Sequence, residues 1–251
     1  MAFTLLVVLG LSFIQPRGTR AFHQLAIVVL ATSSLAYFSM ASDLGATAIS
    51  TEFRADGETR QIWYVRYIQW FITFPSLVLS ILLTTGLSLS DIVTAVFMCL
   101  VVVVSGLVGA LVHSTYKWGY FTFGCVAIFY VWYALLVQGP RSTFPGNGVF
   151  RKGYWMTAAY LSFMLITYPI CWGVSEGGNE ITPTSEMIWY GILDCITGPI
   201  FILFFLFQLH TVDYAAFELQ SGKYTDFAGV IARPSKAAEA GLPEPVTAPA
   251  S

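Results

Sequence analysis

The chain has 251 residues, 56% of them hydrophobic and only 10% charged, with a formal net charge of -2. An ordinary soluble domain carries roughly 25% charged residues, and a fold of this size cannot hide so much apolar surface inside, so lipid must cover part of it. The twelve basic residues are scattered without forming a stripe, which argues against a nucleic-acid partner.

A bilayer core of roughly 30 Å takes about 20 residues of apolar helix to cross. The first apolar run, Ala2–Ile14, has thirteen residues and stops at Gln15-Pro16-Arg17. At about 1.5 Å per residue it covers about 20 Å and does not span. No basic residue precedes it and no small-residue cleavage site follows it, so it does not read as a secretory signal. It is expected to be the cytoplasmic end of a first helix whose outer turns are missing from this sequence. Six full-length spans follow, at Ala21–Ala41, Ile62–Thr85, Ile92–His113, Tyr120–Val137, Tyr154–Val174 and Met187–Leu209. The segment Gln138–Gly153, rich in Gly, Pro and charge, reads as a loop. The expected class is an all-α membrane protein. Residues 1–227 form a seven-helix domain with a shortened first helix, and residues 228–251 form a disordered Ala- and Pro-rich tail.

Basic residues near span ends choose the orientation. Arg17, Arg20, Arg141, Arg151, Lys152, Lys223, Arg233 and Lys236 fall on one side, against Arg54, Arg60 and Lys117 on the other. The first side is therefore predicted to be cytoplasmic, with the C-terminus inside.

Ionisable groups within a span are costly and mark either a structural pair or a functional site. Arg66 and Asp194 lie at similar depth in the outer half of their spans, so they are expected to pair across the bundle. Arg66, Gln69, Thr73 and Ser80 follow helical spacing and form a polar stripe on one face. Trp70 and Pro75 share that helix, while Tyr168, Pro169 and Trp172 fall in another. Such polar and aromatic faces are either packing or the walls of a mid-membrane pocket. The four cysteines, Cys99, Cys125, Cys171 and Cys195, sit in apolar segments without metal-ligand spacing and read as buried packing thiols. The three histidines, His23, His113 and His210, lie at span ends and read as interface residues. No Ser-His-Asp set, metal cluster or Gly-rich phosphate loop supports an enzyme.

Arg66-Tyr67-Ile68-Gln69-Trp70-Phe71-Ile72-Thr73-Phe74-Pro75 resembles the third-helix signature of the microbial rhodopsins, the seven-helix retinal proteins. Tyr168-Pro169-Ile170-Cys171-Trp172 is similar to their sixth-helix Tyr-Pro-x-x-Trp, and Ile192-Leu193-Asp194-Cys195-Ile196-Thr197-Gly198-Pro199 to the chromophore-bearing seventh helix. The resemblance runs from about Gly10 to Asp226. Tyr37-Phe38-Ser39-Met40-Ala41-Ser42, Tyr116-Lys117-Trp118-Gly119-Tyr120 and Ser175-Glu176-Gly177-Gly178 are similar to the fungal branch. It implies that Arg66, Asp194, Tyr37, Tyr67, Glu176 and Glu186 occupy the family's counter-ion and outer proton-release positions. Read by themselves, Glu176 and Glu186 are solvated loop carboxylates.

The departures bear on function. The family's Schiff-base lysine, four residues after the seventh-helix aspartate, is Gly198 here. Gln69 stands where the family has its proton acceptor, Ser80 where it has its cytoplasmic proton donor, and Leu165 where it has a tryptophan flanking retinal. Without any family knowledge, an imine needs an amine in the pocket, and Lys117, Lys152, Lys223 and Lys236 all read as loop or tail residues. Gln69 and Ser80 do not titrate in the useful range. Covalent retinal and light-driven proton pumping are therefore not expected.

The pattern resembles the lysine-less fungal opsin-related proteins, a branch that includes stress-inducible plasma-membrane proteins related to the thirty-kilodalton heat-shock protein. That resemblance implies a non-photochemical stress-related scaffold or regulator in the plasma membrane, a partner such as a proton ATPase, and a homo-oligomer. A second reading keeps a non-covalent ligand, retinal or another apolar molecule, between Trp70, Thr73, Tyr168, Trp172 and Asp194. A third is passive ion or proton conduction along Arg66, Gln69, Asp194 and the outer glutamates.

Overall fold

In lipid, a long apolar segment satisfies its own backbone polar groups by forming an α-helix, and this chain does so repeatedly. The computed structural model describes residues 1–14, 20–51, 59–142 and 148–210, with Val212, Phe217 and Leu219. The expected tail, 228–251, lies outside the described residues, as do Arg17, Arg54, Lys223, Arg233 and Lys236.

Helix α1 (Ala2–Ile14) packs on α2 (Ala21–Ala41). An antiparallel hairpin, β1 (Thr47–Ser50) and β2 (Thr59–Ile62), pairs Thr47 with Ile62 and Ser50 with Thr59 before α3 (Tyr64–Leu82) begins. Helix α4 (Leu89–Leu111) starts where the Ser88 hydroxyl accepts the Asp91 amide at 3.3 Å, an N-cap with an acidic first turn. It lies against α5 (Lys117–Tyr133), which continues through a π-helical turn, Ala134–Gln138, into α6 (Gly139–Ser142). Helix α7 (Gly148–Trp172) runs on through a π turn at Gly173–Gly177. Helix α8 (Pro183–Cys195), capped by Thr182 with Pro183 in its first turn, continues through a π turn at Ile196–Ile200 into α9 (Phe201–Leu209).

Among the described residues seven rods result, and six of them are long and apolar enough to cross a membrane: Ala21–Ala41, Tyr64–Leu82, Leu89–Leu111, Lys117–Ser142, Phe150–Gly177 and Pro183–Leu209. Phe38, Phe97, Phe123, Phe129, Phe163 and Phe207 are exposed on their flanks, as lipid contact requires. Interior positions instead include Arg66, Gln69, Thr73 and Ser80, so the polar stripe of α3 does face the bundle axis.

Several sequence-based boundaries shift by a few residues, the expected spans Ile62–Thr85 and Ile92–His113 becoming Tyr64–Leu82 and Leu89–Leu111. Residues 139–142 and 148–153 of the expected loop Gln138–Gly153 are helical. The Tyr154 hydroxyl there donates to Leu135 O at 2.6 Å, and it passes so close to Gly139 that a Cβ would collide with it. The last long rod begins four residues before Met187, because Thr182 caps it and Pro183 fits its first turn. The hairpin was not anticipated; its strands are four residues each, too short for alternation to register.

Two of the four cysteines depart from the packing reading, Cys125 being half-buried and Cys195 exposed, and all four are free thiols. His23 is buried, where an interface position was expected.

Candidate functional site

Helical spacing assembles the site. Arg66, Gln69, Trp70 and Thr73 recur along α3 at i, i+3, i+4 and i+7, which puts them on one face. Glu186, Tyr190 and Asp194 are spaced by four along α8, and Tyr168, Trp172 and Glu176 by four along α7 and its π turn. The faces meet in two layers.

The layer nearer the hairpin is ionic. Glu186, 0% exposed, lies between Arg60 Nη2 and Arg66 Nη1, each 2.5 Å from one of its oxygens. Arg60 also donates to Ile181 O at 2.7 Å, which ties β2 to the chain leading into α8. The Arg66 guanidinium sits 4.5 Å from the Tyr190 ring centroid, a cation–π distance. The Tyr67 hydroxyl donates to Glu176, itself buried. Glu176 and Glu186 are thus enclosed rather than solvated, Glu176 against Tyr67 of α3 and Glu186 under Arg60, which β2 turns inward.

The deeper layer centres on Asp194. Its Oδ1 accepts from the Tyr168 hydroxyl at 2.8 Å and Trp70 Nε1 at 3.0 Å. Its Oδ2 accepts from the Tyr37 hydroxyl at 2.8 Å and Gln69 Nε2 at 3.1 Å. A carboxylate offers about four lone-pair sites, and four neutral donors from three rods fill them. The expected Arg66–Asp194 pair is therefore absent. Helical side chains tilt toward their own N-terminus, and the N-terminus of α3 is at the hairpin end, which carries Arg66 away from Asp194 and onto Glu186. Gln69 Nε2 also reaches Ser33 Oγ at 3.3 Å, and the Tyr168 hydroxyl bonds Thr197 Oγ1 at 2.7 Å.

Beside this layer lies a cavity of about 110 Å³, on a measure by which one water needs roughly 10–15 Å³. Gln69, Trp70, Thr73, Leu165, Tyr168, Pro169, Trp172, Asp194 and Gly198 all line it. Phe121 stacks on Trp172 with ring centroids 5.1 Å apart, and Trp70 meets Tyr168 edge-on at 5.3 Å. Tyr37, Arg66, Glu176 and Glu186 lie outside the wall, as does Ser80, whose hydroxyl donates to Ser76 O within its own helix at 2.7 Å.

Arg60, Ser33, Tyr190 and Thr197 were not singled out from sequence. The four-residue spacing of Glu186, Tyr190 and Asp194 would have flagged Tyr190; nothing short of the hairpin register would have flagged Arg60.

Among the described residues, no lysine lines the cavity. Lys117 is buried at the start of α5 and Lys152 is exposed in α7, so neither is the loop residue expected; Lys223 and Lys236 lie outside the described residues. A Cβ at Gly198 would meet nothing nearer than Met1 Sδ at 3.6 Å, an ordinary contact. The wall thus suits an apolar molecule but supplies no amine for covalent attachment of an aldehyde.

Comparison with known proteins agrees with this geometry. A family model described as bacteriorhodopsin-like protein matches residues 1–212. Protein FDD123 of Trametes versicolor is 66% identical over 223 residues, 89% of this chain and 78% of its own length. The opsin-like protein carO of Fusarium fujikuroi is 42% identical over 218 residues, 84% of this chain and 71% of its own. The 30 kDa heat shock protein of Saccharomyces cerevisiae is 37% identical over 193 residues, 68% of this chain and 56% of its own. Among solved structures, the light-driven proton pump rhodopsin of Coccomyxa subellipsoidea superposes with a TM-score of 0.79 at 31% identity, covering 82% of this chain and 90% of that one. On the matched family model, the retained motifs and the shared seven-helix fold, this chain belongs to the bacteriorhodopsin-like family of membrane proteins.

Proposed function

We propose that this protein is an opsin-related integral membrane protein that forms no retinal Schiff base and works without photochemistry, as a stress-related regulator or scaffold of the plasma membrane with its C-terminus cytoplasmic. One observation carries the reading: glycine occupies position 198 on the cavity wall, and no lysine among the described residues lines that wall. The surrounding chemistry supports it. Asp194 is held in place by four neutral protein donors without an iminium partner. Gln69 and Ser80 offer no titrating group to accept and resupply a proton. A relative named for heat shock supports the stress assignment. A partner already resident in that membrane, such as a proton ATPase, and self-association are part of the same proposal.

The test is spectroscopic. Purified protein with added all-trans retinal is expected to keep the free-retinal band, whereas Gly198→Lys gains a red-shifted, hydroxylamine-sensitive band. A red-shifted, hydroxylamine-sensitive band in wild type overturns the reading.

A second reading is favoured by the cavity itself. An aromatic-walled hole of about 110 Å³ beside a satisfied carboxylate suits a non-covalently held apolar ligand, and the protein then acts as a sensor of that molecule.

A further inference from the structure

Resting on the second reading above, we infer that the cavity binds a membrane-dissolved lipophilic amine, held as its ammonium beside Asp194, in preference to the alcohol or carboxylic acid of the same hydrocarbon skeleton. Trp70 Nε1 and Gln69 Nε2 can only donate, and each is accepted by a different oxygen of Asp194, at 3.0 and 3.1 Å. Both oxygens are therefore acceptors, the pattern of a carboxylate rather than a carboxylic acid. The Tyr168 and Tyr37 hydroxyls add one contact to each, at 2.8 Å.

All four donors are neutral, so they fill the lone pairs of Asp194 and leave its negative charge in place. The buried arginines are engaged elsewhere: Arg60 and Arg66 each put a guanidinium nitrogen 2.5 Å from Glu186. Among the described residues no arginine, lysine or histidine lines the cavity, and Asp194 is its one carboxylate. A buried anion without a counter-ion attracts a nearby cation more strongly the lower the local dielectric. Asp194 already bears its own desolvation, so an incoming ammonium adds the desolvation of one ion and gains the attraction of a pair.

The rest of the wall suits the same class. Trp70, Tyr168 and Trp172 supply aromatic rings, whose faces attract a cation. Thr73, four residues along α3 from Gln69, adds a hydroxyl to the wall, and its oxygen is an acceptor for an ammonium N–H. Gly198, four residues after Asp194, leaves space near the carboxylate, since a Cβ there would meet nothing nearer than Met1 Sδ at 3.6 Å. Leu77, Val103, Ile128, Leu161 and Leu165 offer hydrocarbon for the body of the molecule. An alcohol brings no charge to set against Asp194, and a carboxylate puts a second anion into the same low-dielectric volume.

The experiment uses the full chain in phosphatidylcholine nanodiscs at mildly alkaline pH, with dodecylamine, dodecanol and dodecanoic acid as probes at matched, low mole fraction in the bilayer. Binding is read from the rise of the thermal unfolding midpoint with probe concentration. Dodecylamine is expected to bind about tenfold or more tightly than dodecanol, as one added contact between charged groups provides, with dodecanoate weakest. Asp194→Asn is expected to bring the amine-to-alcohol ratio close to one. Gly198→Phe, which fills the cavity and leaves Asp194 in place, is expected to abolish binding of all three, and it ties the preference to the cavity should Asp194→Asn fail to fold. Equal binding of amine and alcohol by wild type, or tighter binding of the alcohol or the acid, overturns the inference while leaving the cavity a ligand site. An amine preference that persists in either variant also overturns it, since the bilayer surface and not the cavity then makes the choice. Failure of all three probes to bind removes the ligand reading as well.

Discussion

Arg66 Nη1 lies 2.5 Å from Glu186 Oε1, buried at the hairpin end of the bundle. That contact holds the arginine away from Asp194, eight residues further along the same rod as Glu186. The core is thereby divided into an ionic layer, Arg60–Glu186–Arg66 with Tyr67 and Glu176, and a neutral cage around Asp194.

The ionic layer predicts an asymmetry among truncations. Glu186→Ala leaves two buried guanidiniums without their shared carboxylate, and is expected to cost about 3–5 kcal/mol. Arg60→Ala leaves Glu186 still paired with Arg66 and is expected to cost less. Thermal unfolding in detergent checks this, and an equal loss for both variants would show that the hairpin arm matters as much as the pair it covers.

The cage around Asp194 makes a second prediction. Tyr37→Phe removes one donor and leaves three, and the expected cost is about 1.5–3 kcal/mol for a hydrogen bond to a charged acceptor. Asp194→Asn puts an amide donor against donors, so two of the four lose their acceptor. The asparagine variant is expected to unfold at the lower temperature of the two. The reverse order would mean that the cage tolerates a neutral centre.

Close packing in the rod Lys117–Ser142 gives a third. A Cβ at Gly139 would collide with the Tyr154 hydroxyl, which now donates to Leu135 O at 2.6 Å. Gly139→Ala is expected to destabilise by about 1–3 kcal/mol through overpacking. Tyr154→Phe in the same chain removes the crowded oxygen and should recover part of the loss. Chemical denaturation of the single and double variants measures the coupling.

Passive conduction along the polar groups has a structural obstacle. Beyond Thr73, away from the hairpin, the α3 face buries Leu77, Val78, Ile81 and Leu82, and the Ser80 hydroxyl is engaged by Ser76 O. Reconstituted protein in a planar bilayer is expected to pass no current above the empty membrane. A current abolished in Asp194→Asn would contradict this.

Sequence alone determined the class and the repeat of the architecture. Apolar runs of about 20 residues have one solution in lipid, and local spacing sufficed to put Arg66, Gln69, Thr73 and Ser80 on one inward face. The same local information located Gly198 and excluded an amine there, since residue identity needs no fold. Tertiary structure decided the partners. Whether Arg66 meets Asp194 or Glu186 depends on the direction its side chain leaves α3 and on the depth at which α8 presents its carboxylates. The pairing of buried Glu186 with Arg60 depends on a hairpin of four-residue strands, too short to show in the pattern of the chain. Arg60, a loop charge by sequence, becomes the second arm of a buried pair only because β2 alternates inward and outward and aims it at α8. Periodicity is a property of one segment, whereas pairing is a property of two or more, and only packing brings those together.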